Sequence, residues 1–358
     1  MSDSQPVIER HPPAAFALLK LLRPWQWVKN LLVFTPLLFA HQLSDAALIM
    51  QGIFAFISLS FIASAVYVIN DWADVEADRL HPTKKRRPVA SGAVSRKACL
   101  PLAVALLGIG IGLATWKTNT NFVYAVLTYF VLTTGYTFYF KRIVIVDVLL
   151  LAILYTLRII SGGLATVTPV SEWLLAFSMF IFASLAFAKR YSELYRVDAE
   201  GSDRDETNRR GYRVTDLPGV EMMGIVTGYL SVLVLALYVK RDSEDSLYVY
   251  PQFLWGVCVC MMYWVSRLWI RARRGELNED PVAFTIKDPA SWIVGVICIA
   301  CAAFAAWTAS GPAAAAANTG LPSIPTISMP LLPFASEKSL TTRPSLGHDH
   351  TGPWVATV

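Results

Sequence analysis

Asn70, Asp74 and Asp78 recur at i, i+4 and i+8 where an apolar run ends in VYVINDWADVEADRLHPTKKRRPVASG. On a helix this spacing sets an amide and two carboxylates along one face over roughly 12 Å, with Asp71 beside them as a supporting acid. Like charges at that spacing repel, so something positive must offset them. Ligands that are all oxygen suit Mg²⁺, which keeps several waters and completes its shell with phosphate oxygens. Lys84, Lys85, Arg86 and Arg87 follow directly. Carboxylates for a metal followed by a basic cluster is the arrangement a diphosphate leaving group needs, because the metal bridges phosphate oxygens and Lys and Arg neutralise the rest. A polar loop explains the basic residues but not the acidic spacing.

Other charged groups fall in or beside apolar runs, where charge is costly and usually faces a cavity. Arg158 lies mid-run before Ser161, Gly162 and Gly163. It needs a partner, either a ligand phosphate or one of Asp147 and Glu193. Lys141 is a further donor-phosphate candidate, or it snorkels to the interface. Lys189 and Arg190 are candidates for the same anion, with Tyr136, Tyr191 and Glu193 in support. Lys189 and Glu193 are i, i+4 neighbours, so Glu193 serves the site or only a salt bridge. Gln26 and Lys29 stand at the depth of a lipid phosphate head, where interfacial anchoring is the competing role.

These side chains must be positioned by membrane helices. Only 16% of the 358 residues are charged and 55% are hydrophobic, against about 25% charged in soluble domains. Nine apolar runs approach the roughly 20 residues a crossing needs: Leu31–Leu48, Ile49–Ile69, Ala98–Trp116, Phe122–Phe140, Ile143–Leu164, Trp173–Ala188, Met222–Val239, Phe253–Trp269 and Trp292–Trp307. The pattern predicts an all-α polytopic membrane protein with nine transmembrane helices. Residues 16–30 suit a helix lying in the interface. Residues 1–15 read as disordered, 16–310 as the transmembrane domain, and the Ala/Pro/Ser/Thr-rich 311–358 as a disordered tail. Lys and Arg concentrate in the N-terminal segment and in alternate loops, which places these in the cytoplasm and the tail outside. Asp280, Pro281 and Asp288 form the last loop on the side of the acids. The net charge of +5 is topology and substrate charge, not a nucleic-acid signal. Five cysteines in or beside apolar runs read as buried small hydrophobes.

NDWADVEAD resembles the first aspartate-rich motif, NxxxDxxxD, of the UbiA-type intramembrane prenyltransferase superfamily, whose bundle also has nine helices. The longer strings RPWQWVKN, NDWADVEADRLHPTKKRRPVASG and FAKRYSEL are similar to decaprenyl-phosphate phosphoribosyltransferases of mycobacterial-type cell walls. The resemblance covers about residues 18–309. It implies a plasma-membrane enzyme whose donor is phosphoribosyl pyrophosphate and whose acceptor is a polyprenyl phosphate, with a product used for arabinan of arabinogalactan. It implies Mg²⁺ on Asp74 and Asp78, with Asn70 assisting. One departure bears on the donor. The prenyltransferases carry a second DxxxD-type motif after helix six, where this chain reads FAKRYSELYRVDAEGSDRDE, and Glu193 and Asp198 are five apart. An allylic-diphosphate prenyltransferase with an aromatic or haem acceptor is the alternative. A transporter would show internal repeats with broken helices, and none is evident. Polyprenyl length and oligomeric state, a homo-oligomer included, stay open.

Overall fold

The computed structural model describes residues 14–80, 84–199, 211–245, 250–277 and 281–307. The expected disordered ends, apart from Ala14 and Ala15, lie outside the described residues, as does Asp280. Every regular element described is helical. The longer helices are α3 (Ala46–Ala73), α5 (Arg96–Lys117), α6 (Thr120–Phe138), α7 (Val146–Thr166), α8 (Glu172–Ala199), α9 (Leu217–Asp245), α10 (Leu254–Arg273) and α12 (Pro289–Trp307). The short ones are α1 (Ala14–Leu22), α2 (Thr35–Phe39), α4 (Val75–Leu80) and α11 (Pro281–Lys287).

Among the described residues six helices are long and apolar enough to cross a membrane: α3, α5, α7, α8, α9 and α10. The apolar stretch of α12 is shorter, and α6 is diluted by threonines and tyrosines. The expected first span, Leu31–Leu48, is not one helix. Pro24–Phe34 is a 3₁₀ helix, α2 adds five residues, and the chain turns before Asp45 caps α3 by accepting the Ala47 and Leu48 N–H groups at 2.8 and 3.2 Å. An Asx cap satisfies donors that a continuous helix would have bonded internally.

Residues 24–34, part of the stretch expected at the interface, are packed into the helical frame. They pack against α3 and α7. Asn30 is buried and donates to Ser60 Oγ at 3.0 Å, and Trp27 Nε1 donates to Ser64 Oγ at 3.0 Å. Gly162 makes the approach to α7 feasible, since a Cβ there would come within 2.0 Å of the Val33 carbonyl oxygen. Apolar packing then fixes the frame. Leu59, Ile62, Phe122, Val126 and Leu154 join α3, α6 and α7, while Phe187, Tyr191, Val265 and Trp269 join α8 and α10.

The loop before α12 is tied to α10. Asp288 accepts the Ser291 N–H at 2.9 Å and its hydroxyl at 2.8 Å, capping α12. Arg267 grips the same carboxylate at 2.5 and 2.9 Å.

Candidate active site

The acids stand at a break in the helix. α3 ends at Ala73, Asp74 leaves helical geometry at φ −91° and ψ 7°, and α4 resumes at Val75. The expected single helical face is therefore interrupted. Its hydrogen-bond rhythm survives, with Asp74 N–H donating to Asn70 O at 2.9 Å and Asp78 N–H to Asp74 O at 2.8 Å.

Three cations meet three carboxylates here. Arg23 bonds Asp71 Oδ1 at 2.5 Å. Arg87 bridges Asp71 Oδ1 at 3.3 Å and Asp78 Oδ2 at 2.6 Å. Lys141 Nζ lies 3.1 Å from Asp74 Oδ2. Asp71 and Asp78 are buried, whereas the Asp74 side chain is 34% exposed. The second oxygen of Asp71, Oδ2, is buried and has no hydrogen-bond partner among the described residues. Buried acceptors are normally satisfied, so this oxygen faces a place where a donor or a cation belongs.

The basic quartet divides. Arg87 turns into the acids, while Lys85 and Arg86 are exposed on a 3₁₀ turn that also holds Lys84. Glu76 is peripheral, paired with Arg79 at 3.3 Å and Arg96 at 3.5 Å. Arg23 is a site residue that the sequence marks only as interfacial. Its backbone is left-handed at φ 52°, the turn that brings it from α1 back over Tyr67, 5.2 Å from the ring centre.

A second polar knot joins α7 and α8. Arg190, 1% exposed, bonds Asp147 Oδ2 at 2.5 Å, Glu193 Oε2 at 2.6 Å and Tyr136 OH at 3.0 Å. Tyr212 donates to Asp147 Oδ1 at 2.7 Å and accepts the Ile145 N–H at 2.8 Å. Arg190 is thus turned to protein groups rather than open to a donor phosphate. Glu193 pairs with it at i+3. Burial, with the Asp147 carboxylate second, pushes the Tyr212 phenol well above its ordinary value. Tyr191, one residue on and so about 100° around α8, points into apolar packing instead, edge-on to Trp269 at 6.0 Å. Lys189 is half-buried beside the knot.

Arg158 finds neither carboxylate. It bonds Asn30 Oδ1 at 3.0 Å, Leu154 O at 2.8 Å and Tyr129 OH at 2.7 Å, between the rings of Tyr129 and Tyr155. Lys29 lies 6.0 Å over the Tyr155 ring, so it shares that ring with Arg158. Gln26 is half-buried on the same 3₁₀ segment. Asn30, Tyr129 and Tyr212 have no flag in the sequence, because their contacts join residues 29 to 128 positions apart.

An amide and three carboxylates are the oxygen ligands a hard cation takes, and the unpartnered Asp71 oxygen fits the same need. Among the described residues no three acidic, His or Cys side chains converge at metal spacing, because Asp74 and Asp78 face Lys141 and Arg87.

The sequence profile of the UbiA prenyltransferase family matches residues 31–287. The chain belongs to that family. It is therefore a multi-pass membrane protein and a UbiA-family transferase. Two relatives are rhizobial. "Uncharacterized protein y4nM" of Sinorhizobium fredii is 34% identical over 77% of this chain, which spans only 53% of that protein's length. Nodulation protein NoeC of Azorhizobium caulinodans is 32% identical over 77% of this chain and 88% of its own. Decaprenyl-phosphate phosphoribosyltransferase of Corynebacterium glutamicum is 33% identical over 66% of this chain and 73% of its own. The UbiA homologue of Archaeoglobus fulgidus bound to GPP and Mg²⁺ superposes at TM-score 0.59 with 17% identity, over 81% of this chain and 98% of that one. That likeness carries the UbiA fold.

Proposed function

We propose that this UbiA-family transferase moves the 5-phosphoribosyl group of phosphoribosyl pyrophosphate to a polyprenyl phosphate, decaprenyl phosphate in kind, and releases pyrophosphate. The product would feed arabinan of the cell wall. The carrying observation is the state of the second locus. Glu193, the acid nearest to a second DxxxD position, is engaged by a buried Arg190. A single acidic locus beside cations therefore serves the reaction. The relatives named decaprenyl-phosphate phosphoribosyltransferase support the same donor.

Charge balance gives the mechanism its logic. Asp71, Asp74 and Asp78 are matched one for one by Arg23, Arg87 and Lys141. Asp74 and Asp78, with Asn70, would hold Mg²⁺, which when bound would offset the charge that develops on the leaving pyrophosphate. Lys141 and Arg87, which line the same acids, would hold the donor's phosphates. Lys84 and Lys189 would take the 5-phosphate. The acceptor phosphate is already anionic and needs no general base. Lys29 and Gln26, with Arg158 beneath, hold it opposite the leaving group. The C1–O bond to pyrophosphate breaks with its electron pair as an acceptor phosphate oxygen bonds to C1. Positioning and leaving-group stabilisation supply the rate. The Lys/Arg pattern puts this chemistry at the cytoplasmic face of the plasma membrane, with the C-terminus outside.

Purified protein given radiolabelled phosphoribosyl pyrophosphate, polyprenyl phosphate and Mg²⁺ should yield a labelled lipid, with allylic diphosphates inert in a parallel assay. Prenyl transfer from an allylic diphosphate, with phosphoribosyl pyrophosphate ignored, would establish the prenyltransferase reading instead.

A further inference from the structure

Far along the chain from the acid cluster, the last two turns of α10 and its C-cap carry Arg267, Arg271 and Arg274 at i, i+4 and i+7. That spacing sets three guanidinium groups on one stripe of the helix. With Tyr263, Ile270 and Glu276 they line a cleft of about 460 Å³. Two carboxylates face them. Asp288 takes Arg267 at 2.5 Å and Arg271 at 3.0 Å, and Glu276 takes Arg271 at 2.7 Å. Arg274 makes no ion pair among the described residues, so among them one positive charge is left over. The stripe changes character along the axis. Towards the other end of α10, Val259, Met262 and Tyr263 are exposed and apolar. A membrane helix that is apolar outward along its length and basic at one end matches a lipid, acyl chains against the apolar turns and phosphate at the arginines.

We infer that this cleft is a binding site for an anionic phospholipid of the leaflet next to the acid cluster. Basic pockets between transmembrane helices on the cytoplasmic side hold anionic headgroups, at about 1 kcal/mol per Lys or Arg, and Arg suits a phosphate bidentately. The site is separate from the reaction. None of its lining residues bonds Asp71, Asp74, Asp78 or their cations. Arg267 and Arg271 hold Asp288 and α12 in place, so a headgroup docked across Arg271 and Arg274 would brace the joint between α10 and α12.

The test uses the full chain purified in a mild uncharged detergent and stripped of lipid. Phosphatidylglycerol, phosphatidylcholine and inorganic phosphate are titrated separately, and thermal unfolding is followed. Phosphatidylglycerol should raise Tm in a saturable manner, while phosphatidylcholine and inorganic phosphate should not. Arg274→Gln breaks no ion pair and leaves the apo Tm unchanged, yet should weaken the apparent phosphatidylglycerol affinity about fivefold, the equivalent of about 1 kcal/mol. Equal stabilisation by phosphatidylcholine would overturn the inference, as would an unaltered titration in Arg274→Gln. An equal shift with inorganic phosphate would make the cleft a free-phosphate site and overturn it as well. Native mass spectrometry of the two proteins, counting retained phosphatidylglycerol, gives a readout independent of stability.

Discussion

The acid cluster around Asp74 and the knot around Arg190 are built from the same ingredients, carboxylates with guanidinium partners at the end of membrane helices, yet they differ in closure. In the knot, each of the three guanidinium nitrogens of Arg190 has a protein acceptor, and both oxygens of Asp147 have donors. In the cluster, Asp71 Oδ2 has no partner, Asp74 is a third exposed, and Lys141 is a single flexible amine on it. A closed polar network rigidifies its surroundings, and an open one can exchange partners. The difference teaches how to tell a strut from a site when both carry charge at membrane depth: count what is unsatisfied.

The largest effect tests the strut. Arg190→Met should leave the buried Asp147 and the half-buried Glu193 without their cation and cost about 3–5 kcal/mol. The measurement is thermal unfolding of the detergent-purified protein. A variant that keeps its Tm but loses donor affinity would move Arg190 into the site and break the comparison.

Asp74→Asn should do the opposite. Turnover should fall by about three orders of magnitude, about 4 kcal/mol, with Tm almost unchanged, because the amide is near-isosteric and partly exposed. Initial rates and unfolding curves on one preparation decide it, and near-normal turnover would remove Asp74 from the metal set.

How much of this was legible beforehand follows from range. The acidic run Asn70, Asp74 and Asp78 was legible as a pattern because its spacing is local, but the helix break at Asp74 was not. Most of the apolar helices were legible too. The first span was not, because Leu31–Leu48 is apolar enough to cross. Tertiary contacts instead hold residues 24–34 in a 3₁₀ helix against Gly162. Arg190 looked like a phosphate ligand since FAKRYSEL offers Lys and Arg alike. Only the fold shows that Asp147, 43 residues earlier, claims the arginine. Arg158 was rightly read as needing a partner, yet Asn30 lies 128 residues away and no local pattern could nominate it.

A finer test separates the cations of the open region. Lys141→Ala should raise the donor KM about tenfold, the equivalent of about 1.4 kcal/mol, and leave the acceptor KM nearly unchanged. Lys29→Ala should do the reverse. Michaelis curves with one substrate varied at a time give the split, and a change confined to the acceptor KM in Lys141→Ala would contradict the assignment.

The smallest effect concerns Asp288, a second strut nearer the surface. The hydrogen bond from Arg267, with those from Ser291, holds its carboxyl well below the usual carboxylate range. A carboxylate whose folded value is depressed contributes stability above its unfolded value, near 3.9, and loses it as pH falls through the folded value. Asp288→Asn should therefore lower stability by about 1 kcal/mol. The gap between wild type and variant should be constant from about pH 5 to 8 and close only in stronger acid. Tm measured for both proteins across that series checks it. Should the gap already close between pH 5 and 6, Asp288 titrates as an ordinary surface acid. The tie from α10 to α12 would then be open in the sense that the Asp74 cluster is open, and not closed like the Arg190 knot.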